Sequence, residues 1–278
     1  MRMRSDSDAF RSGRSVAAAE AVKYFDGACV LQMPEMIFER GDVTALIGAN
    51  GSGKSTYARI LAGIVRPDNP LADMRNDGTE AGSTSGTDVS GQTGTSAKAG
   101  RTAIKRHVPV LQFADETASG DGKTVRVGYL PQRPYAFRIS VEKNLLLSSK
   151  EPERADELIR SLQLEQLRSR RADKLSGGES ARMALGRLLM RDYDLLILDE
   201  PTASMDVEMI LSVEQVINEY RKRVGCPVLL ITHSLQQAKR IADRVLFIHR
   251  GQLIEEGHTD QVLQNPESGM LKRFLQLA

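Results

Sequence analysis

Residues 48–56 read Gly-Ala-Asn-Gly-Ser-Gly-Lys-Ser-Thr, a match to the pattern G-x-x-x-x-G-K-[ST]. They follow a β-rich apolar run, Val43-Thr-Ala-Leu-Ile47, and lead into an apolar periodic stretch from Thr56 to Ile64 that reads as a helix. A strand, a glycine-rich turn and a helix in this order constrain the fold more than any other feature of the chain. The glycines let backbone N–H groups converge on an anion at the helix N-terminus, where the helix dipole favours negative charge. Gly48, Asn50, Gly51, Ser52, Gly53 and Thr56 would line the cradle, Lys54 would reach the β and γ phosphates of a nucleotide, and the Ser55 hydroxyl would ligate Mg²⁺. A chance match in a chain of this length is expected on the order of 1 time in 100, before the flanking strand and helix are counted.

A second chemical feature is Leu195-Leu-Ile-Leu-Asp-Glu200, an apolar strand ending in two carboxylates. At the carboxyl edge of an open α/β sheet such groups face the ligand crevice. Asp199 would hold Mg²⁺, through water, and Glu200 would act as general base on an attacking water. An acidic strand end alone is commonly solvated punctuation, and the phosphate loop is what gives this one weight. The runs 195–198, 228–231 and 245–248 are continuously apolar and separated by helical stretches. That pattern predicts a largely parallel sheet with helices on its faces.

The rest of the chain reads more coarsely. Residues 1–15 are polar and lack the apolar surface needed to offset ordering, so a disordered tail is expected. Residues 73–100 turn abruptly to Gly, Ser, Thr and Asp and read as a flexible insertion. Residues 107–113 and 124–130 are candidate strands separated by a turn-rich segment, which makes a hairpin plausible. Helical periodicity covers 141–170, and a second helix is expected to begin near Ser180. No repeat of 20 to 50 residues is visible.

Composition excludes several classes. Lys plus Arg number 38 against 36 for Asp plus Glu, mixed along the chain, so there is no concentrated basic face of a nucleic-acid binder. No apolar run approaches the ~18 residues that a membrane span requires, and the N-terminus has no hydrophobic signal core. Cys29 and Cys226 are far apart with no metal-ligand spacing, and both are expected to be small buried residues.

The segment Leu175-Ser-Gly-Gly-Glu179 taken alone is a capped helix start. Together with the phosphate loop and the acidic strand it resembles the signature of the ATP-binding cassette (ABC) family, and the resemblance runs from about Val22 to Gly257. It implies an α/β, RecA-like P-loop NTPase core with a mainly parallel sheet, an antiparallel β-subdomain and an ABC-type α-helical subdomain over about 133–185. The nucleotide-binding domain would cover 16–265 and a short C-terminal helix 266–278. By the same resemblance Ser176, Gly177 and Gly178 bind the γ-phosphate held by an opposite subunit. Gln132 is the glutamine that senses Mg²⁺ or the attacking water and couples to a membrane partner. His233 contacts the γ-phosphate, Asp206 is the aspartate of the loop that follows the acidic strand, and Tyr24, favoured over Phe25, stacks on adenine.

The implied protein is an ATP-hydrolysing transporter subunit using ATP and Mg²⁺. It would be paired with itself or a related ATPase and bound to integral permease subunits at the cytoplasmic face of the membrane. An extracytoplasmic substrate-binding protein would feed it, and phosphate, tungstate or amino-acid importers are the nearest in type. A soluble ABC ATPase of iron–sulfur cluster assembly is the alternative, and a regulatory module without catalysis ranks last because Lys54, Asp199, Glu200 and His233 are all present. The sequence departs from the family at Ala181, where glutamine is customary, at Gly186, where alanine is usual, and at Met205 for leucine. The Lys54–Gln132 separation is also longer than usual, which the insertion explains.

Overall fold

A computed structural model describes residues 14–68, 110–114 and 124–277. The expected insertion at 73–100 and nearly all of the expected tail lie outside the described residues. Along the chain come strands β1 (Val16–Ala18), β2 (Ala21–Phe25), β3 (Ala28–Met33), β4 (Met36–Phe38) and β5 (Val43–Ile47), then helix α1 (Lys54–Leu61). Strands β6 (Leu111–Phe113) and β7 (Val127–Leu130) precede helices α2 (Val141–Leu146), α3 (Pro152–Ser161) and α4 (Gly177–Leu189). The second half is β8 (Leu195–Asp199), α5 (Val207–Val224), β9 (Val228–Ile231), α6 (Leu235–Ile241), β10 (Arg244–His249), β11 (Gln252–His258), α7 (Thr259–Gln264) and α8 (Gly269–Leu277).

The main sheet has eight strands in the order β2-β3-β11-β10-β5-β9-β8-β7, and a three-stranded antiparallel sheet β4-β1-β6 packs beside it. Strands β10, β5, β9, β8 and β7 run parallel, and β2–β3 and β10–β11 are antiparallel pairs. The central strands are buried along their whole length because both faces are covered, and their period-two alternation sorts the side chains. Leu196 and Leu198 of β8 and Val228 and Leu230 of β9 face a core built with α2, α3, α4 and α5. Leu195, Ile197, Leu229 and Ile231 face the opposite core, which takes Tyr57 and Ile60 from α1 and Val16, Phe38 and Phe113 from the small sheet. A third core joins Val245 and Phe247 to Ala238, Val262 and Leu271. Each such aliphatic side chain contributes about 1.5–3 kcal/mol when fully buried.

Several expectations are corrected. The segments around 107–113 and 124–130 do not form a hairpin: Leu111–Phe113 pairs antiparallel with β1, whereas Val127–Leu130 runs parallel to β8 in the other sheet. The stretch 141–170 is not one continuous helix; it breaks into α2, α3 and a 3₁₀ turn at Glu165–Leu167. Helix α4 starts at Gly177 rather than near Ser180, since Ser176 and Glu179 form a reciprocal capping box that offsets the weak helix propensity of two glycines. Cys226 is buried as expected, but Cys29 is exposed, near the tip of the β2–β3 hairpin. Gly186 has a packing reason. A Cβ there would meet Leu162 Cδ1 at 3.0 Å and Leu145 Cδ2 at 3.3 Å, so glycine lets α4 approach its neighbours at the cost of propensity.

Candidate functional site

The register of the parallel strands sets the site. Leu46 and Asp199 both pair with Ile231, and Leu130 pairs with Leu198, so β5, β9, β8 and β7 end side by side. Beyond those ends come the loop 48–53, His233, Glu200 and Gln132 respectively. This carboxyl edge of an open parallel sheet is where α/β proteins bind ligands.

Between β5 and α1 the backbone takes conformations that favour glycine: Gly48, Gly51 and Gly53 have φ of 150°, 74° and 105°. A Cβ on Gly48 would lie 2.2 Å from the Ile248 carbonyl oxygen. No side chain caps the α1 N-terminus and its first turn carries no acidic residue, so its leading N–H groups are left to face an anion. Lys54 is buried and donates from Nζ to the carbonyl oxygens of Gly48 at 2.8 Å and Ala49 at 2.9 Å. Burial holds its pKa below the ordinary lysine value, with Glu200 and Asp199 acting in the opposite direction. The Ser52 hydroxyl in the same loop is buried without a partner among the described residues.

Asp199 closes β8 and is buried. Burial raises its pKa most, and a hydrogen bond with the Ser55 hydroxyl acts against that rise. Its Oδ2 lies 3.5 Å from the Tyr129 hydroxyl, and its Oδ1 is buried with no hydrogen-bond partner among the described residues. A buried carboxylate oxygen left open beside a serine hydroxyl fits a hard, oxygen-seeking cation. Among the described residues no group of three or more His, Cys, Asp or Glu could hold a metal. Mg²⁺ commonly binds through one or two protein oxygens and completes its shell with phosphate and water oxygens.

Both oxygens of the Glu200 carboxylate are engaged. Gln132 donates from Nε2 to Oε2 at 2.8 Å, and His233 Nε2 lies 2.7 Å from Oε1. Glu200 sits in the left-handed region with φ of 53°, a conformation that costs a non-glycine residue of order 1–3 kcal/mol and is held here by Glu200 N donating to Ile231 O at 2.9 Å. The strain aims the side chain across the strand ends toward β7 and β9.

Lys54, Ser55, Gln132, Asp199, Glu200 and His233 are thus brought together. The signature is not among them. The Ser176 hydroxyl accepts from Glu179 N at 3.3 Å, and a Cβ on Gly178 would lie 3.2 Å from Ser204 O, so the contacts of this segment run to α4 and to the turn before Asp206. Gly177 has open space where a Cβ would stand. Asp206 caps α5, accepting from Met209 N at 2.9 Å. Tyr24 and Phe25 lie at the tip of the β2–β3 hairpin, whose Asp26–Gly27 turn has φ of 50° and 78°, and they are 45% and 50% exposed. Strand β3 borders the phosphate loop, since a Cβ on Gly53 would meet Leu31 Cδ1 at 3.0 Å. Tyr129 was missed as a neighbour of Asp199; its place in the segment Gly128–Gln132 gave the only signal.

A phosphate loop and an acidic strand end, with Gln132 and His233 just beyond the two strands that flank β8, define a P-loop nucleoside triphosphatase. The comparisons narrow this. The ABC transporter family model matches residues 31–203, more than half of the 278-residue chain. A phosphate import ATP-binding protein of Natronomonas pharaonis is 34% identical over 94% of this chain and 86% of its own length. A tungstate uptake system ATP-binding protein of Peptoclostridium acidaminophilum is 32% identical over 86% of this chain and 97% of its own. Among solved structures, an ATP-binding subunit of an ABC transporter superposes with a TM-score of 0.66 at 21% identity, covering 94% of this chain and 99% of that one. The chain belongs to the ABC transporter family, and it is an ATPase subunit of that class.

Proposed function

We propose that the chain powers import of an oxyanion, binding and hydrolysing Mg²⁺-ATP as a homodimer on the cytoplasmic face of the membrane beneath separate permease subunits. An extracytoplasmic binding protein would deliver the substrate. The observation that carries the catalytic part is the Glu200 carboxylate bridged between Gln132 and His233 at the mouth of the phosphate loop. Lys54 would leave the loop carbonyls for the β and γ phosphates, compensating its buried charge. Glu200 would take the proton of the attacking water once Gln132 or His233 releases one of its oxygens, and His233 would contact the γ-phosphate. Ser55, Asp199 and Gln132 would hold Mg²⁺, which would supply charge neutralisation on the phosphates. Tyr24 would stack on adenine. The open position at Gly177 and the outward-facing signature suit a phosphate presented by a second chain, which is the reason for a dimer.

For the permease, an apolar groove of about 630 Å³ opens three residues beyond Gln132, walled by Tyr135, Phe137, Ile139 and Leu147 with Arg187 at its side. Among the described residues no helix is long and apolar enough to cross a membrane, so the spanning part would come from partners. The oxyanion assignment rests on the relatives: besides the phosphate and tungstate proteins, a probable anion import ATP-binding protein of Haloferax volcanii is 31% identical over 96% of this chain.

Complementation of a strain lacking this gene tests the proposal. Uptake of one of phosphate, tungstate or molybdate is expected to fall on deletion and return with the wild-type gene but not with Glu200→Gln. Leu147→Asp, at a half-exposed groove position, is expected to lose uptake while the purified protein keeps its ATPase activity. Unchanged oxyanion uptake in the deletion strain would overturn the assignment.

A further inference from the structure

Glu214 is a buried carboxylate on α5, 3% exposed, that no step above uses. Arg240 of α6 grips it with both prongs, Nε to Oε2 at 2.8 Å and Nη2 to Oε1 at 2.6 Å. Gln237, also on α6 and 1% exposed, donates from Nε2 to Glu214 Oε1 at 3.2 Å and to Thr202 Oγ1 at 3.0 Å. Both donor hydrogens of the amide are therefore used, and its oxygen is buried with no partner among the described residues. A site that needed only to be filled would be better served by an aliphatic side chain, since a buried polar atom without a partner is costly.

The place of this network explains why a polar group is kept there. Thr202 stands two residues beyond Glu200, in the turn that follows its strained backbone. Gln237 stands four residues beyond His233, and its backbone N–H donates to Ser234 Oγ at 3.1 Å, while Ser234 N donates to Thr232 Oγ1 at 3.0 Å. The Gln237 main chain thus holds Ser234, whose own N–H holds Thr232 on the other side of His233, and the Gln237 side chain holds the loop that carries Glu200. The other ties described between those two loops are the end of the β8–β9 ladder, Glu200 N to Ile231 O, and the contact that the staple would set, His233 Nε2 to Glu200 Oε1 at 2.7 Å.

We propose that Gln237 is a positioning residue that fixes the separation of His233 and Glu200 by stapling the first turn of α6 to Thr202, with Glu214 and Arg240 holding its amide in orientation. The inference rests on the reading of Glu200 and His233 as catalytic. Displacement of a reacting group by about 1 Å can cost on the order of 10²-fold in rate, so a staple of this kind acts on turnover rather than on ATP binding.

Steady-state ATP hydrolysis by the full chain, at a temperature where every variant is folded by circular dichroism, tests it. Gln237→Met keeps length and volume but cannot donate, and is expected to lower kcat about 10- to 100-fold with the KM for ATP within about threefold. Thr202→Val, at a partly exposed site that leaves the Glu214 network whole, is expected to lower kcat in the same sense. The double variant is expected to be no slower than the slower single one, because both changes cut the same tie. A Gln237→Met kcat within about twofold of wild type would overturn the proposal, as would losses that multiply in the double variant. If Gln237→Met does not fold, Thr202→Val alone decides, and a wild-type kcat for it overturns the proposal. Failure of the underlying reading shows separately, as full turnover by Glu200→Gln.

Discussion

Replacing Glu200 with glutamine is expected to lower ATP turnover by about 10²–10⁴-fold, the usual worth of a general base, while ATP affinity stays within a few-fold of wild type. Glutamine keeps the length and shape of the side chain and can still accept from Gln132 Nε2 through its amide oxygen, so the bridge across the strand ends is half preserved. The residue lies beyond Lys54 and the loop amides that would bind the phosphates, so the binding surface is untouched. The backbone strain at φ of 53° is the same for either residue, so folding stability should move little. Single-turnover hydrolysis alongside equilibrium binding of ATP separates the two effects. A variant that hydrolyses within a few-fold of wild type would remove Glu200 from the mechanism.

Gly48→Ala is expected to be severe for a different reason. The added Cβ would stand 2.2 Å from the Ile248 carbonyl oxygen and 2.9 Å from Ser52 Oγ, at a φ of 150° that alanine rarely adopts. Neither the β10 backbone nor the loop can yield without disturbing the strand pair β5–β10 on which the site is built. A loss of about 3 kcal/mol in urea unfolding is expected, with ATP binding lost in parallel. Gly51→Ala is the control. Its φ of 74° is also left-handed, but a Cβ there meets nothing within 4 Å, so only the backbone preference of about 1 kcal/mol is at stake. Equal effects of the two substitutions would contradict the close approach.

The parts of the molecule that read correctly from sequence are those where local pattern and chemistry coincide. Val43–Ile47, Leu195–Leu198 and Val228–Ile231 are continuous apolar runs because each is covered on both faces, and the phosphate loop is encoded by glycines that only such a turn requires. What failed depends on distant partners. Nothing near Leu111–Phe113 indicates that it pairs with Val16–Ala18, on the far side of the phosphate loop in the chain. Val127–Leu130 reads as its hairpin mate because a turn-rich segment separates the two, yet it pairs with β8 in the other sheet. Cys29 shares the β3 alternation with the buried Leu31 and Met33, yet it lies beyond the bulge at Lys23/Tyr24, where the hairpin leaves the core. The start of α4 was legible in Ser176 and Glu179, a capping pair three residues apart, but the two glycines between them pointed the other way. Within the site, the residue types at the strand ends were legible and their mutual contacts were not. That Glu200 is shared between Gln132 and His233 follows from the order of β7, β8 and β9 in the sheet, which packing of the crossover helices decides.

In the proposed mechanism the cluster at these strand ends is half of an ATPase site completed by the signature of a second chain. Specific ATPase activity measured against protein concentration, with the oligomeric state followed by sedimentation over the same range, tests it most directly. Activity per chain is expected to rise with the fraction of dimer and to level off when dimerisation saturates. Activity per chain that is constant from fully monomeric samples upward would contradict it.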